Sequence, residues 1–495
     1  MNIMINNNKS INFSLLNYIN SNNNYQQIKS YLLENKIRVR EYENSDLVIL
    51  SNKFKENLNE IQTECRSIIF DKKNMEIICY AFDNIKYNQQ AKMEFLKQNP
   101  EDFIIQESFE GTLLSVFYYE NKWYISTRQC LNACESKWKT NKSHYDMFLE
   151  CINVSFDEFT NFLKKEYNYF FVLLHYDNKH IVDYTSYFNN PNYKTIVHIM
   201  TKDKKTHQDI DIYSESQWNG DPKFVIPCKL SCDDNKYKNL KKFIDSEESI
   251  NIPHNYNDFQ NLDVNNMSDS FDLPITSEGL IVKILDSNNN KTKLLKFQTN
   301  SYQIMSLLNP NTKNIYMGFV ELYKKDLLKQ HLDYFPGNVK INNTYDTIGI
   351  IDASFKVLTS ELFEIFRYLY DLKNCSHKNS DFYKILPSEY TVVLYKIRGI
   401  YYKKKEKYIK NKIDSIVMDN TYNYSLKIFD IYNLLKKSYE IREIMNLFKA
   451  RQIFISTYSK TKYSTILKNI SSKCEVNSLK MILIFTNKLF ENEEY

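Results

Sequence analysis

Four residues of this 495-residue chain, Ser108, Glu110, Gly111 and Arg128, gather types that can do chemistry into one short stretch. Cations hold phosphate oxygens. Carboxylates hold divalent ions. A glycine lets another group approach the backbone closely. The densest stretch is FIIQESFEGTLLSVFYYENKWYISTR, residues 103–128. Two strands flank the compact turn Glu110-Gly111-Thr112, and Arg128 closes the second strand. Ser108 is a weak nucleophile whose proton is tightly held. The sequence offers no evident base beside it; His175 is the one that can be imagined.

The elements that must position these residues read as short strands followed by helices. RSIIFD, EIICYAF, LLSVFYY and KWYIST are β-branched or aromatic runs bounded by turn residues. YFFVLLHY, HIVDY and KTIVHIMT continue the strands, and GLIVKIL and TKLLKFQ complete them. HYDMFLECI and DEFTNFLKKEY read as helices between them. Residues 233–275 are polar and read as an inserted loop with one short helix. From about residue 312 the apolar period becomes helical, as in SELFEIFRYLYDL and SLKMILIFTNKLF. The expected class is α+β. Residues 1–60 extend a core domain at 61–310, and a helical C-terminal domain occupies 311–495.

Bulk properties narrow the setting. The net charge is +5, but residues 331–495 carry 26 Lys+Arg against 18 Asp+Glu. That surplus suits a polyanionic partner. Nine cysteines, an odd number, and a polar start, MNIMINNNKS, suggest free thiols in a reducing intracellular compartment. No apolar run reaches the ~18 residues of a membrane span. The pairs Cys130/Cys134 and Cys228/Cys232 lack the tight spacing of zinc ligands and read as incidental or buried thiols.

The stretches ECRSIIFD, FDNIKYN, QESFEGTLLSV, WYISTR, FFVLLHYDNKHIVDY, SEGLIVKI and LLKFQTNSY follow one another over residues 64–302. In order, spacing and strand context they resemble the ATP-dependent RNA ligases of the bacteriophage RNA ligase 1 type, in the lysine nucleotidyltransferase superfamily. The resemblance covers about half the chain. It implies an ATP-grasp-like ligase core of antiparallel sheets, with ATP and magnesium as cofactors if the protein is active. In that chemistry a lysine attacks ATP, AMP passes to a 5′-phosphate RNA end, and a 3′-hydroxyl displaces it. The resemblance places Arg66, Glu110, Gly111, Arg128, Glu278 and Lys296 at nucleotide-binding positions, with Glu278 as a metal ligand. Tyr87 and Tyr302 fit family aromatics. The departures are equally specific: the nucleophilic lysine is Ser108, a carboxylate is Leu173, lysines are Ile85 and Gln298, and a glycine is Ser67.

The run KIRGIYYKKKEKYIKNK, residues 396–412, sets eight basic residues around three tyrosines. Lys403, Lys404 and Lys405 with Tyr401 and Tyr402 form a candidate RNA-binding patch, since lysines neutralise phosphates and tyrosines stack on unpaired bases. The expected function is an RNA-ligase-like protein that binds RNA, is defective in self-adenylation and acts in RNA repair or processing, with ATP as a candidate second ligand and proteins of an RNA-processing assembly as candidate partners. The rivals are a divergent active ligase, one that seals only pre-adenylated ends, and a protein-interaction module.

Overall fold

A computed structural model describes residues 11, 13–22, 24–52, 57–98, 103–137, 141–178, 180–220, 224–231, 233–245, 275–286, 291–310, 312, 314–341, 344–370, 378–414 and 426–491. It is an α+β protein with antiparallel sheets in its N-terminal part and helices in its C-terminal part. The described residues divide into two compact units, one formed by those up to Met305 and the other by those from Ser306 onward.

Among the described residues three sheets build the first unit. The first has the order β1-β2-β3-β4, formed by Arg38–Arg40, Leu47–Ser51, Ile68–Asp71 and Glu76–Tyr80. Helices Ser14–Ser21 and Tyr25–Glu34 cover one face, burying Leu15, Ile19, Ile28 and Leu32 against Val48, Leu50, Ile68 and Phe70. Asn24 starts the second helix by accepting the Gln26 amide at 2.8 Å. Glu64 holds the first: its carboxylate accepts the Ser14 and Leu15 amides at 2.8 and 2.9 Å. The same carboxylate takes the buried Lys291 ammonium at 2.7 Å.

The second sheet has the order β11-β10-β9-β7-β8. β7 is Thr112–Tyr119, β8 Lys122–Thr127, β9 Tyr167–His175, β10 Lys194–Asp203 and β11 Asp209–Ile210. The apolar run of β9 lies between β7 and β10 and is buried from Asn168 to His175. The third sheet has the order β5-β13-β12-β6, formed by Lys86–Tyr87, Lys291–Gln298, Gly279–Asp286 and Phe103–Ser108. The helix Asn235–Asp245 buries Leu240 and Ile244 in the core that contains Ile105, Val282 and Leu295 of this sheet. Residues 246–274, most of the expected insertion, lie outside the described residues.

One expected strand is absent. HIVDY, residues 180–184, is a loop. Its alternation of apolar and polar residues mimics a strand, but the amides of Ile181 and Val182 bond to a side chain instead of a neighbouring strand.

In the second unit the helix Thr347–Leu369 begins at Asp346, which accepts the Gly349 amide at 2.6 Å. It buries Ile350, Phe355, Leu362 and Phe366 and packs against Ile428–Ser438 and Val476–Phe490. Its buried Glu361 meets Arg451 in a bidentate pair at 2.6 and 2.7 Å. Among the described residues no helix is long and apolar enough to cross a membrane.

Candidate functional site

Register alone assembles the first part of the site. Ser108 is the last residue of β6, Gly279 the first of β12 and Gln298 the last of β13. Gly279 pairs with Ser108 on one side and Gln298 on the other, so the three share one row at one end of the sheet. Lys296 lies two residues back on β13, beside Tyr87 of β5. Gly279 makes the close passage possible. Its φ of +139° favours glycine, and a Cβ there would lie 2.0 Å from the Phe297 carbonyl oxygen.

Glu278 is the centre of this row. One carboxylate oxygen accepts the Ser108 hydroxyl at 2.6 Å. The other accepts the Lys296 ammonium at 2.8 Å and the Gln298 side-chain amide at 3.3 Å. Burial pushes the Glu278 carboxyl up, but Lys296, Ser108 and Gln298 outweigh it and hold it below the ordinary glutamate range. Asn88 steadies Gln298 by accepting its backbone amide at 2.8 Å.

The structure thus supplies the proton acceptor that sequence does not reveal beside Ser108. It is a poor base, because the neighbours that stabilise the carboxylate lower its affinity for a proton. His175 is corrected as a candidate base. It is fully buried and pairs with Glu150 at 3.2 Å.

Glu110 has a different task. One of its oxygens accepts the Ile181 and Val182 amides at 2.6 and 2.9 Å, and Tyr302 also bonds to the carboxylate. Its own amide donates to the Tyr184 hydroxyl at 2.6 Å. Burial raises the Glu110 carboxyl, the charge of Glu278 adds to that, and the amides and Tyr302 oppose it. Gly111 lies against β9: a Cβ there would meet the Leu173 carbonyl oxygen at 2.4 Å. The close approach that requires this glycine is therefore to the protein's own strand.

Arg66 and Arg128 form the cationic part. The Arg66 guanidinium lies over the Phe82 ring, 4.6 Å from its centroid. Burial first, and the charge of Arg128 next to it, push Arg66 down to about 10, with Tyr87 pulling the other way. The Arg66 Nη1 is buried without a hydrogen-bond partner among the described residues. Arg128 is exposed. The Ser67 hydroxyl, donating to the Arg128 carbonyl oxygen at 3.3 Å, ties the two segments together. Exposed Tyr87 links this pair to the carboxylate centre, since Lys296 Nζ is 6.0 Å from its ring centroid.

ATP and a metal ion fit these residues differently. Two guanidiniums, one with an unsatisfied buried nitrogen, fit phosphate oxygens. A divalent ion does not fit this donor set. Both Glu278 oxygens are engaged, and among the described residues no group of three or more His, Cys, Asp or Glu could hold a metal. A hollow of about 490 Å³ is lined by Asn235, Lys238, Asn239, Lys241, Lys242 and Asp245 of one helix and includes none of the site residues.

The basic patch belongs to the second unit, on the helix Ser388–Asp414. Tyr401 is corrected as a base-stacking residue: it is 0% exposed and faces the helical core. Lys404 is bound to Asp430 at 2.6 Å. Lys403 and Tyr402 are exposed, and Lys405 partly so. The side chains of residues 408–412 lie outside the described residues.

Sequence reasoning misses Asn88, Tyr184 and the loop amides of Ile181 and Val182. Nothing local marks them, because each acts on a residue far away in the chain.

No family model matches the chain. Over 97 residues it is 38% identical to the Immediate-early protein ICP-46 homolog of Invertebrate iridescent virus 3, covering 19% of this chain and 22% of that protein. Over 103 residues it is 24% identical to a candidate bifunctional polynucleotide kinase/RNA ligase of Autographa californica nuclear polyhedrosis virus, covering 19% of this chain and 15% of that protein. The match thus spans about a fifth or less of the length of these curated relatives. An archaeal ATP-dependent RNA ligase structure aligns with 65% of this chain and 74% of its own at 8% identity, with a TM-score of 0.32.

Proposed function

We propose that this is an RNA-ligase-like protein of the nucleotidyltransferase type that binds ATP or a 5′-phosphorylated RNA end and has lost self-adenylation. The observation that carries this reading is the shared carboxylate. Glu278 holds a hydroxyl on one oxygen and an ammonium on the other. A phosphoramidate needs a neutral amine. Residue 108 has no amine, and the Lys296 amine is held as one half of a part-buried ion pair. Arg66 and Arg128 remain available to grip phosphate. The short match to a candidate polynucleotide kinase/RNA ligase supports RNA as the partner; work in RNA repair or processing, in company with other proteins, is part of the same proposal.

Incubation with radiolabelled ATP and magnesium is expected to leave no AMP covalently attached to the protein; a labelled protein band in denaturing electrophoresis overturns the loss of self-adenylation. Binding is tested separately. A charge-assisted hydrogen bond contributes ~1.5–3 kcal/mol, so Arg66→Ala and Arg128→Ala should each weaken binding of a 5′-phosphorylated RNA on the order of tenfold or more. A 5′-hydroxyl RNA should lose much less. Equal losses for both RNAs would remove the end-binding role.

A further inference from the structure

The helix Ser388–Asp414 has an unusual outer face. Its inner face is conventional: Tyr390, Val393, Leu394, Ile397 and Tyr401 are buried. The opposite face runs through Val392, Tyr395, Gly399, Tyr402 and Glu406, spaced alternately three and four residues apart, so they form one line along the helix. Four of those five are uncharged, on the side where a surface helix normally carries charge. Tyr395 is 79% exposed and Tyr402 39%. Gly399 lies between them, and a Cβ there would meet nothing within 4 Å. Glycine inside a helix is unfavourable by roughly 0.5–1 kcal/mol relative to alanine, and no close packing here compensates.

Two tyrosines seven residues apart on a helix are separated by about 10 Å along its axis, with a gap between them where Gly399 lacks a side chain. Cations flank this stripe. Arg398 lies 5.6 Å from the Tyr402 ring centroid and donates to its hydroxyl at 3.3 Å. Lys403 and Lys407 are exposed nearby. Lys396 stacks on Tyr439 and Lys404 pairs with Asp430, so those two are committed to holding the unit together.

The geometry points to single-stranded RNA as the occupant: Tyr395 and Tyr402 stack on unpaired bases while Lys403 and Lys407 meet the phosphates. The choice of RNA strand over apolar partner follows from charge. Exposed aromatic rings next to cations match a polyanion with free π-faces, and residues 331–495 carry the chain's basic surplus. Duplex RNA hides its base faces and does not fit. This inference rests on the reading of the protein as an RNA binder, yet it uses none of the residues around Glu278.

The test uses the full chain and an unstructured 5′-hydroxyl RNA, so that binding of a 5′-phosphate does not contribute. The double variant Tyr395→Ala/Tyr402→Ala is expected to lose affinity at least tenfold with an unchanged salt slope. Tyr395→Phe/Tyr402→Phe, which keeps the rings, should retain binding. Lys403→Ala/Lys407→Ala should weaken binding and lower the salt slope by roughly one for each phosphate left without its lysine. A wild-type affinity that survives the double alanine variant overturns the stacking surface and leaves the RNA reading standing, as would be found if the stripe docks a protein. A wild-type protein that fails to bind the 5′-hydroxyl strand overturns the stacking surface, and one that also fails to bind a 5′-phosphorylated strand overturns the RNA reading with it. Equal affinity for duplex RNA overturns the stacking role.

Discussion

Gly279→Ala is expected to destabilise the protein by more than about 4 kcal/mol, and in practice to abolish the folded state. Two independent faults combine. The residue has a φ of +139°, where side chains are strained, and its Cβ would lie 2.0 Å from the Phe297 carbonyl oxygen and 2.8 Å from the Gln298 Cα. Both obstacles are backbone of the neighbouring strand β13, so no side-chain rotation relieves them. Denaturant unfolding, or the yield of soluble protein, reads the outcome. Gly399→Ala is the control, since it meets nothing within 4 Å on an exposed helical face. It should gain roughly 0.5–1 kcal/mol. A Gly279→Ala protein as stable as wild type would mean that β12 and β13 do not pass each other this closely.

Glu278→Gln should cost up to about 3 kcal/mol, because it keeps the shape and leaves the part-buried Lys296 ammonium without its counter-charge. Adding Lys296→Met should recover much of the loss, which a purely local packing fault would not allow. The pH dependence carries a sign. The folded-state carboxyl of Glu278 is held below its ordinary value. Its contribution to stability is therefore fully present above the unfolded-state pKa and is lost as pH falls through the folded-state value. Glu110 acts in the opposite sense: its carboxyl is raised, so ionising it as pH rises costs stability. The wild-type acid limb is the difference of the two. In Glu278→Gln the protective part should vanish, and stability measured from neutral to acid pH should no longer fall through that step. An unchanged acid limb would show that the Glu278–Lys296 pair is not what holds the carboxylate charged.

Much of this arrangement is legible in the sequence where a residue's neighbours along the chain decide its state. The strands carrying Ser108, Gly279 and Lys296 announce themselves through β-branched and aromatic runs, and the later helices through their apolar period. What brings the three together is strand register, a tertiary fact that no local pattern encodes. HIVDY misleads for a related reason. Its pattern is that of a strand, but Glu110, about 70 residues earlier, claims its amides. Tyr401 and Tyr402 are adjacent and chemically identical, yet one is buried and the other exposed. Only the phase of the helix against its neighbours separates them, and a dense run of lysines conceals that phase. Gly111 and Gly279 stand out as rare glycines, but their reason is the proximity of the protein's own strands.

The carboxylate that anchors the first helix has a consequence for biosynthesis. Glu64 caps Ser14 and Leu15, but its buried cation is Lys291, 227 residues further on. A nascent chain can form the helix and its cap early. It cannot neutralise that buried charge until β13 has left the ribosome, on the order of tens of seconds later at typical elongation rates. The first layer translated thus waits for one of the last strands of its unit.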